Sequence, residues 1–582
     1  MSSPSSPSSE IVEPPAARRR FIPVALGLAA LVILILSLAW SKRGEPRLNE
    51  DQARNLQEIE HLGGFVLGDL ALPQIADALR DGDPTALTSA LAEDFTGRVF
   101  RDPAKTSDHG FARISTWQRD NQETASGDCD AEELVAWMMK HQQSFEQLES
   151  VGLKVKLMEP VTSGKLDGPW HGTLRLRMAG RGADNGLREI RMQLACRLNG
   201  LDDELPNRKG WLKRLEVRRV DISESDAPLM EEMTLQTGIQ VARLQDNWKG
   251  ISGQQTPALT GGIYLADYDG DRQIDCLLTD LRGLALYRGL GGGRFRNVTA
   301  AVGLPASHTD LQAVWADFDN DGDPDLILDR RIYRNVEGRR FEPLDPSTTG
   351  LELEDNVGFA VADVDRDGLV DLYVVGINHG TSGQKWIGTN DSNRNQLWHN
   401  QGDLTFTNST ASSGTAGSGT STFAAVFFDA NADGWPDLMT ACEFGENDFW
   451  LNNGDGTFAR SPLPEIYGGF SMGLTVGDID NDGRADPYLA NMYSKAGERI
   501  VANLPRGIYA DDVDRKLRDF VTGSELYHNN AKGGFTRIGQ QAGVADVGWA
   551  YGPAYVDLDN DGQLDLYAPA GFQSVTPDRP DG

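Results

Sequence analysis

Apolar positions change their spacing three times along the chain. An unbroken apolar run from Phe21 to Trp40 follows Arg18, Arg19 and Arg20 and precedes Lys42 and Arg43. About 20 apolar residues cross the hydrocarbon core of a bilayer as a helix, so residues 21–41 are predicted to span a membrane. Three arginines before the run against two basic residues after it place the N-terminus in the cytoplasm. The Ser- and Pro-rich residues 1–20 then form a disordered tail. Ser37-Leu38-Ala39 offers a cleavage site as the alternative to an uncleaved anchor.

Helical spacing follows. Asn49 to His61 reads as a helix, Leu72 to Asp94 as another broken at Asp81-Gly82-Asp83-Pro84, and Ala131 to Leu153 as a third. The third has Leu134, Trp137, Met138 and Phe145 as its buried stripe. The period then falls to two: Val155, Leu157 and Met158 open a strand, and Leu174/Leu176/Met178 and Ile190/Met192/Leu194/Cys196 alternate. Leu212, Leu215, Val217 and Val220 close the set. Helices followed by long antiparallel strands predict an α+β domain over residues 44–222. The string from Ala78 to Leu87, with Phe95 after it, resembles the opening helices of nuclear-transport-factor-like cone domains, which implies a site for a small ligand or a dimer surface. Residues 223–255 read as a connector with a helix from Met230 to Trp248.

From residue 256 to 582 the strands become short and repetitive. A nine-residue pattern, D-x-D/N-x-D-G-x-x-D, starts at Asp267, Asp317, Asp363, Asp429, Asp478 and Asp557. Copies about 50 residues apart are the mark of a propeller or solenoid. In Asp317-Phe318-Asp319-Asn320-Asp321-Gly322-Asp323-Pro324-Asp325, positions one, three, five and nine are carboxylates. Ca²⁺ takes six to eight oxygen ligands at flexible distances, whereas Mg²⁺ usually keeps several waters. The pattern therefore predicts calcium-binding turns, with glycine at position six allowing a left-handed bend. An EF-hand needs Glu at position twelve, and none of the six copies has it. Alternating flanks, such as Ile263/Leu265 before the first copy, make each loop a turn between strands.

A second element follows the loops: a strand, an Asn/Gly turn and a strand with an aromatic residue. It is seen at Leu286-Tyr287-Arg288 with Phe295, Ile332-Tyr333-Arg334-Asn335 with Phe341, and Leu397-Trp398-His399-Asn400 with Phe406. It recurs at Phe449-Trp450-Leu451-Asn452 with Phe458, and at Leu526-Tyr527-His528-Asn529 with Phe535. Two hairpins per repeat make a four-stranded blade, with the aromatic packing between blades. Loops and hairpins together resemble FG-GAP/VCBS repeats, as in integrin α-like propellers, and resemble bacterial proteins related to the cartilage acidic protein group.

The resemblance implies a mainly β fold, a calcium-binding β-propeller of the seven-bladed type, with six blades readable here. It also implies ligand binding, adhesion or protein interaction. The calcium ligands it implies are Asp267, Asp269, Asp271 and Asp275 in loop one, and Asp317, Asp319, Asp321 and Asp325 in loop two. Loop three has Asp363, Asp365, Asp367 and Asp371; loop four has Asp429, Asn431, Asp433 and Asp437. Loop five has Asp478, Asp480, Asp482 and Asp486; loop six has Asp557, Asp559, Asp561 and Asp565. Arg272 at position six of loop one and neutral Asn431 in loop four should weaken those two sites. Only 17 residues follow Asp565, too few for a second hairpin, so a seventh blade would draw on residues outside the repeat.

Composition narrows the function. A formal charge of −31 repels nucleic acid. The four cysteines form no C-x-x-C pair and read as buried free thiols. No H-E-x-x-H or P-loop occurs, and the chain is read as a binding module and not an enzyme. The competing classes are a propeller-borne lyase or hydrolase and a ligand sensor acting through the 44–222 domain. The expected partners are the membrane and a protein or carbohydrate ligand outside the cytoplasm. Two insertions lengthen the repeat, Gly376–Gln396 with Trp386 and Asn491–Gly523 with Arg499–Lys516. They are expected to form one ligand face or, in the simpler alternative, to pack over the propeller. Arg288, Arg334, His399 and His528 share one repeat position, which reads as a tolerant structural slot.

Overall fold

The computed structural model describes residues 48–570 except 102–103, 119–125, 183–184, 245–260, 308–310, 329, 354–355, 377–394, 418–420, 444–445, 462–469, 492–494, 510, 532–533 and 549. The predicted membrane span at 21–41 and the preceding tail lie outside the described residues.

The first unit opens with helix α1 (Glu50–Ile59), capped by Asn49, whose side chain accepts from the Gln52 N–H. It continues without a break through a wider, π-helical stretch, Glu60–Ala71, into α2 (Leu72–Arg80). By length and composition the whole helix Glu50–Arg80 is apolar enough to cross a membrane, yet more than half of its most apolar window is buried inside the molecule. The sequence pattern ended this helix at His61. The middle stretch is buried on several sides through Leu62, Gly63, Val66, Leu67 and Gly68, so it lacks the one-sided stripe that marks an amphipathic helix.

Helix α3 (Thr85–Ala90) leads into strand β1 (Leu91–Phe100), which corrects the expectation of helix through Asp94. Helix α4 (Ala131–Gln142) is capped by Asp130 and ends well before Leu153; strand β5 (Gln147–Pro160) has already begun there. The sheet continues through β6 (Trp170–Arg181), β7 (Leu187–Leu198) and β8 (Leu212–Ser225). The shorter β2 (Lys105–Asp108), β3 (Arg113–Gln118) and β4 (Ser126–Cys129) complete it. Its order is β2-β3-β8-β7-β6-β5, with β1 parallel to β8 and antiparallel to β4. The alternating residues read from sequence, Leu174, Leu176, Met178, Ile190, Met192 and Leu194, all lie in the core between this sheet and the helices.

The repeats fold into five four-stranded antiparallel sheets and a sixth pair of strands. Sheet one is β9 (Ile263–Ala266) to β12 (Phe295–Asn297), and sheet two β13 (Ala313–Ala316) to β16 (Arg340–Pro343). Sheet three is β17 (Asn356–Ala362) to β20 (Phe406–Asn408), and sheet four β21 (Ser421–Phe428) to β24 (Phe458–Arg460). Sheet five is β25 (Ser471–Gly477) to β28 (Phe535–Arg537). The sixth has β29 (Ala554–Val556) and β30 (Asp565–Tyr567). First strands of successive sheets contact one another, β9 to β13, then β17, β21, β25 and β29. Between each neighbouring pair lies an apolar core: Leu277 and Leu286 meet Leu326 and Tyr333, and Met439 and Phe449 meet Leu489 and Tyr527. The hairpin aromatics fill these seams. Phe341 lies 5.7 Å from Tyr268 of the preceding sheet, and Phe406 lies 5.7 Å from Phe318. All four cysteines are buried and none is in a disulfide.

Candidate metal centre

Each acidic motif forms the loop between the first and second strands of its sheet, and the six loops share one geometry. The position-one aspartate folds the loop back on itself. Its two oxygens accept the N–H groups of positions five and six at 2.8–3.1 Å, as Asp317 does from Asp321 and Gly322 and Asp429 from Asp433 and Gly434. The position-five carboxylate accepts the position-seven N–H, as Asp321 does from Asp323 at 3.0 Å.

Two residues per loop are left-handed. Position six has φ of 84–94° at Gly322, Gly368, Gly434, Gly483 and Gly562, and 67° at Arg272. A side chain in that region costs roughly 1 kcal/mol or more. Position four is left-handed too, at Gly270, Asn320, Arg366, Ala432, Asn481 and Asn560. Sequence reasoning missed this second bend. The Asn at three of the six copies was its signal, because Asn tolerates this conformation better than most residues.

The position-nine aspartates are the most deeply buried carboxylates of the loops. Asp325, Asp371 and Asp437 are fully buried, and Asp275 and Asp486 nearly so. Each accepts the position-two N–H on one oxygen, as Asp325 does from Phe318 at 3.2 Å. In sheets one to five the other oxygen accepts a hairpin N–H, as Asp325 does from Asn335 at 2.8 Å. Burial pushes Asp325 up to about 7, and Asp275, Asp371 and Asp437 up to about 6. These four carboxyls brace loop against hairpin, whatever else they bind.

The hairpin asparagine completes the frame. Asn335 donates from Nδ2 to Tyr268 O of the preceding loop at 2.8 Å and to Pro324 O of its own at 3.1 Å. Asn400, Asn452 and Asn529 repeat the pair, to Phe318 and Val370, Val364 and Pro436, and Ala430 and Ala485. An asparagine recurring inside a strand, where its propensity is poor, was the visible signal for this role. Loops also touch sideways: Asn320 Nδ2 donates to Gly368 O at 2.7 Å, Asn481 Nδ2 to Gly562 O at 3.0 Å, and the Arg366 guanidinium lies 4.2 Å over the Trp435 ring.

Position three is left over in loops one and two, whereas Asp365, Asn431 and Asp559 accept the position-five N–H of their loops. Asp319 is 5% exposed and Asp269 10% at the side chain, and Oδ1 of each has no hydrogen-bond partner. Burial raises both carboxyls above their ordinary range. Donor oxygens of Asp267, Asp269 and Asp271 lie within 4.8 Å of one another, as do those of Asp317, Asp319 and Asp325 and of Asp363, Asp365 and Asp367. Asp365 and Asp371 converge in the same way with His399, and Asp480 and Asp482 with His528. A buried carboxylate oxygen without a donor, inside a cluster of like charges, fits a hard cation.

Residues 377–394, with Trp386, lie outside the described residues. The second insertion carries helices α5 (Lys495–Ala502) and α6 (Asp511–Phe520), and its α5 faces the first unit. Arg499 pairs with Glu60, Nε to Oε2 at 3.1 Å, with both side chains nearly buried. Asn503 Nδ2 donates to Met158 O at 3.0 Å. Val501, Leu504 and Leu517 share an apolar cluster with Leu56. Arg499 is thus turned inward onto the π-helical stretch and β5, which corrects the expectation that it belongs to a ligand face.

Residues 267–328, 386–440, 429–488 and 517–568 match the FG-GAP-like repeat family model. No curated protein matches the chain. Among solved structures it is similar to a lectin from Agrocybe aegerita that recognises non-reducing terminal N-acetylglucosamine. The identity is 18% over 56% of this chain and 78% of that one, with a TM-score of 0.34. It is also similar to the V. cholerae biofilm matrix protein Bap1, at 13% identity over 52% of this chain and 42% of that one, with a TM-score of 0.28.

Proposed function

We propose that this chain, an FG-GAP-like repeat protein with the repeat in four places, is a calcium-stabilised propeller. It is tethered outside the cytoplasm by residues 21–41 and works as a binding or adhesion module, not as an enzyme. The observation that carries the reading is the buried, partnerless Asp319 Oδ1 among converging carboxylates in a loop built six times over. Four aspartates so placed repel one another, and a divalent ion held by positions one, three and five relieves that repulsion. Millimolar calcium outside the cytoplasm suits loops of modest affinity.

Calcium would supply charge neutralisation and rigidity. Asp267, Asp317, Asp363, Asp429, Asp478 and Asp557 shape each loop and would hold the ion together with the position-three and position-five side chains, and the position-nine acids hold the loop to its hairpin. The rigid frame then presents a face to a protein or carbohydrate ligand, which engages only in calcium.

The test has two arms. Protease added to intact cells should digest the repeats, and protection that lasts until lysis overturns the exported topology. The purified chain on glycan and surface-protein arrays should retain ligands in calcium and release them in chelator; retention unaffected by chelator contradicts the calcium-dependent module.

A further inference from the structure

The repeat position just before the hairpin asparagine, or before Gly289 in sheet one, carries Arg288, Arg334, His399, Leu451 and His528 in sheets one to five, and its Arg and His side chains face the acidic loop of their own sheet. In sheet one, Arg288 Nε lies 2.6 Å from Asp269 Oδ2 and one terminal nitrogen 2.9 Å from Asp271 Oδ2. In sheet two, Arg334 lies 2.8 Å from Asp319 Oδ2 and 3.8 Å from Asp321 Oδ2. Each guanidinium therefore bridges positions three and five, the pair that a bound ion would share.

The other loops differ. In sheet three His399 Nδ1 sits 2.9 Å from Asp371 and 3.6 Å from Asp365. In loop five Arg484 reaches Asp482 alone, from within the loop, and His528 stands 3.5 Å from Asp480. Among the described residues no basic side chain pairs with the carboxylates of loops four and six, and Leu451 fills the slot in sheet four.

We infer that Arg288 and Arg334 are tethered counterions, which hold loops one and two in shape without metal and yield to calcium only by displacement. The inference rests on the calcium reading above and deepens it: one repeat is tuned by one side chain into metal-independent and metal-dependent loops. The arginines are 33% and 47% exposed at the side chain, so each can swing into solvent when an ion arrives. The Oδ1 atoms of Asp269 and Asp319, which the guanidinium leaves without a partner, are what the incoming ion gains. A fixed unit charge a few ångströms from the site opposes a cation by Coulomb repulsion and lowers its affinity.

The experiment compares the full chain in detergent micelles with the Arg288→Met/Arg334→Met variant. Arg339→Met serves as control, because that residue is exposed and pairs only with Glu337. Calcium is titrated calorimetrically, and each protein is also melted in chelator. The inference expects two sites to tighten by roughly tenfold in the double variant. It also expects a lower melting point in chelator, restored by calcium, with the control unchanged in both. Calcium binding that is identical in wild type and double variant, with equal melting in chelator, overturns the counterion role while leaving the calcium reading intact. No calcium binding by any of the three proteins, together with a lower melting point of the double variant in chelator, supports the counterion role and overturns the calcium reading.

Discussion

The loop residues divide by what their oxygens already do. Asp325 accepts two backbone N–H groups, whereas Asp319 has an oxygen that accepts none. Their variants should therefore part company. Asp325→Ala removes two buried hydrogen bonds and should cost roughly 2–4 kcal/mol with or without calcium. Asp319→Asn removes a buried like charge but also the partner of Arg334, so in chelator it should cost less than Asp325→Ala, and it should lose the calcium-dependent shift of its loop. Urea melts of both variants in calcium and in chelator read this; parallel losses for the two would contradict the division of roles. The asparagine frame gives a second prediction. Asn400→Ala strands Phe318 O and Val370 O at the seam between sheets two and three, and should cost about 2–3 kcal/mol in the same melts.

Much of the residue scale was legible beforehand. The aspartate spacing, the glycine at position six and the aromatic seam residues could be read directly, because each answers to a local rule. The structural duty of position nine and of the hairpin asparagine could not. Both depend on which N–H and C=O groups come together across different strands and different sheets.

At the scale of elements, α5 is a latch between the two units. Glu60 and Arg499 are both close to buried, and removing one partner of a buried pair leaves the other uncompensated at about 3–5 kcal/mol. Glu60→Ala alone should split the thermal transition into two, and Glu60→Met/Arg499→Met should largely restore a single one. A lone, unshifted transition in Glu60→Ala would show that the latch carries no coupling. Sequence alone saw only an insertion here, since its partner lies more than four hundred residues away along the chain. Strands β2 and β3 escaped for a related reason: β2 is exposed and β3 mostly half-buried, and neither shows a buried alternation.

Helix α4 supplies a pH test. Burial, with Lys140 and Arg188 nearby, lowers His141 from its ordinary value to about 4. A histidine depressed in the folded state adds stability above pH 6.5, and that stability is lost as the pH falls toward 4. The first unit should weaken over that window in wild type, and His141→Phe should flatten the slope. An unchanged slope in the variant, followed by the fluorescence of Trp137, whose ring centroid lies 4.3 Å from that of His141, would assign the acid sensitivity elsewhere.

Across the whole molecule, six acidic loops and the stacked sheets form one mechanical system. Successive loops are stapled by Asn335, Asn400, Asn452 and Asn529, so order in one loop is passed to the sheet beside it. Calcium binding only the folded geometry stabilises by mass action, roughly 2.7 kcal/mol per site at a hundredfold excess over its dissociation constant. Several loops acting together should give a large effect, with the largest share from loop six, whose four aspartates have no basic partner among the described residues. The most direct measurement is the thermal unfolding of the full chain in chelator and in millimolar calcium, with bound calcium counted on the same sample. The account predicts several bound ions and a melting temperature many degrees higher in calcium. Identical melting curves, with no calcium retained, would show that the loops are self-sufficient acidic turns and would contradict it.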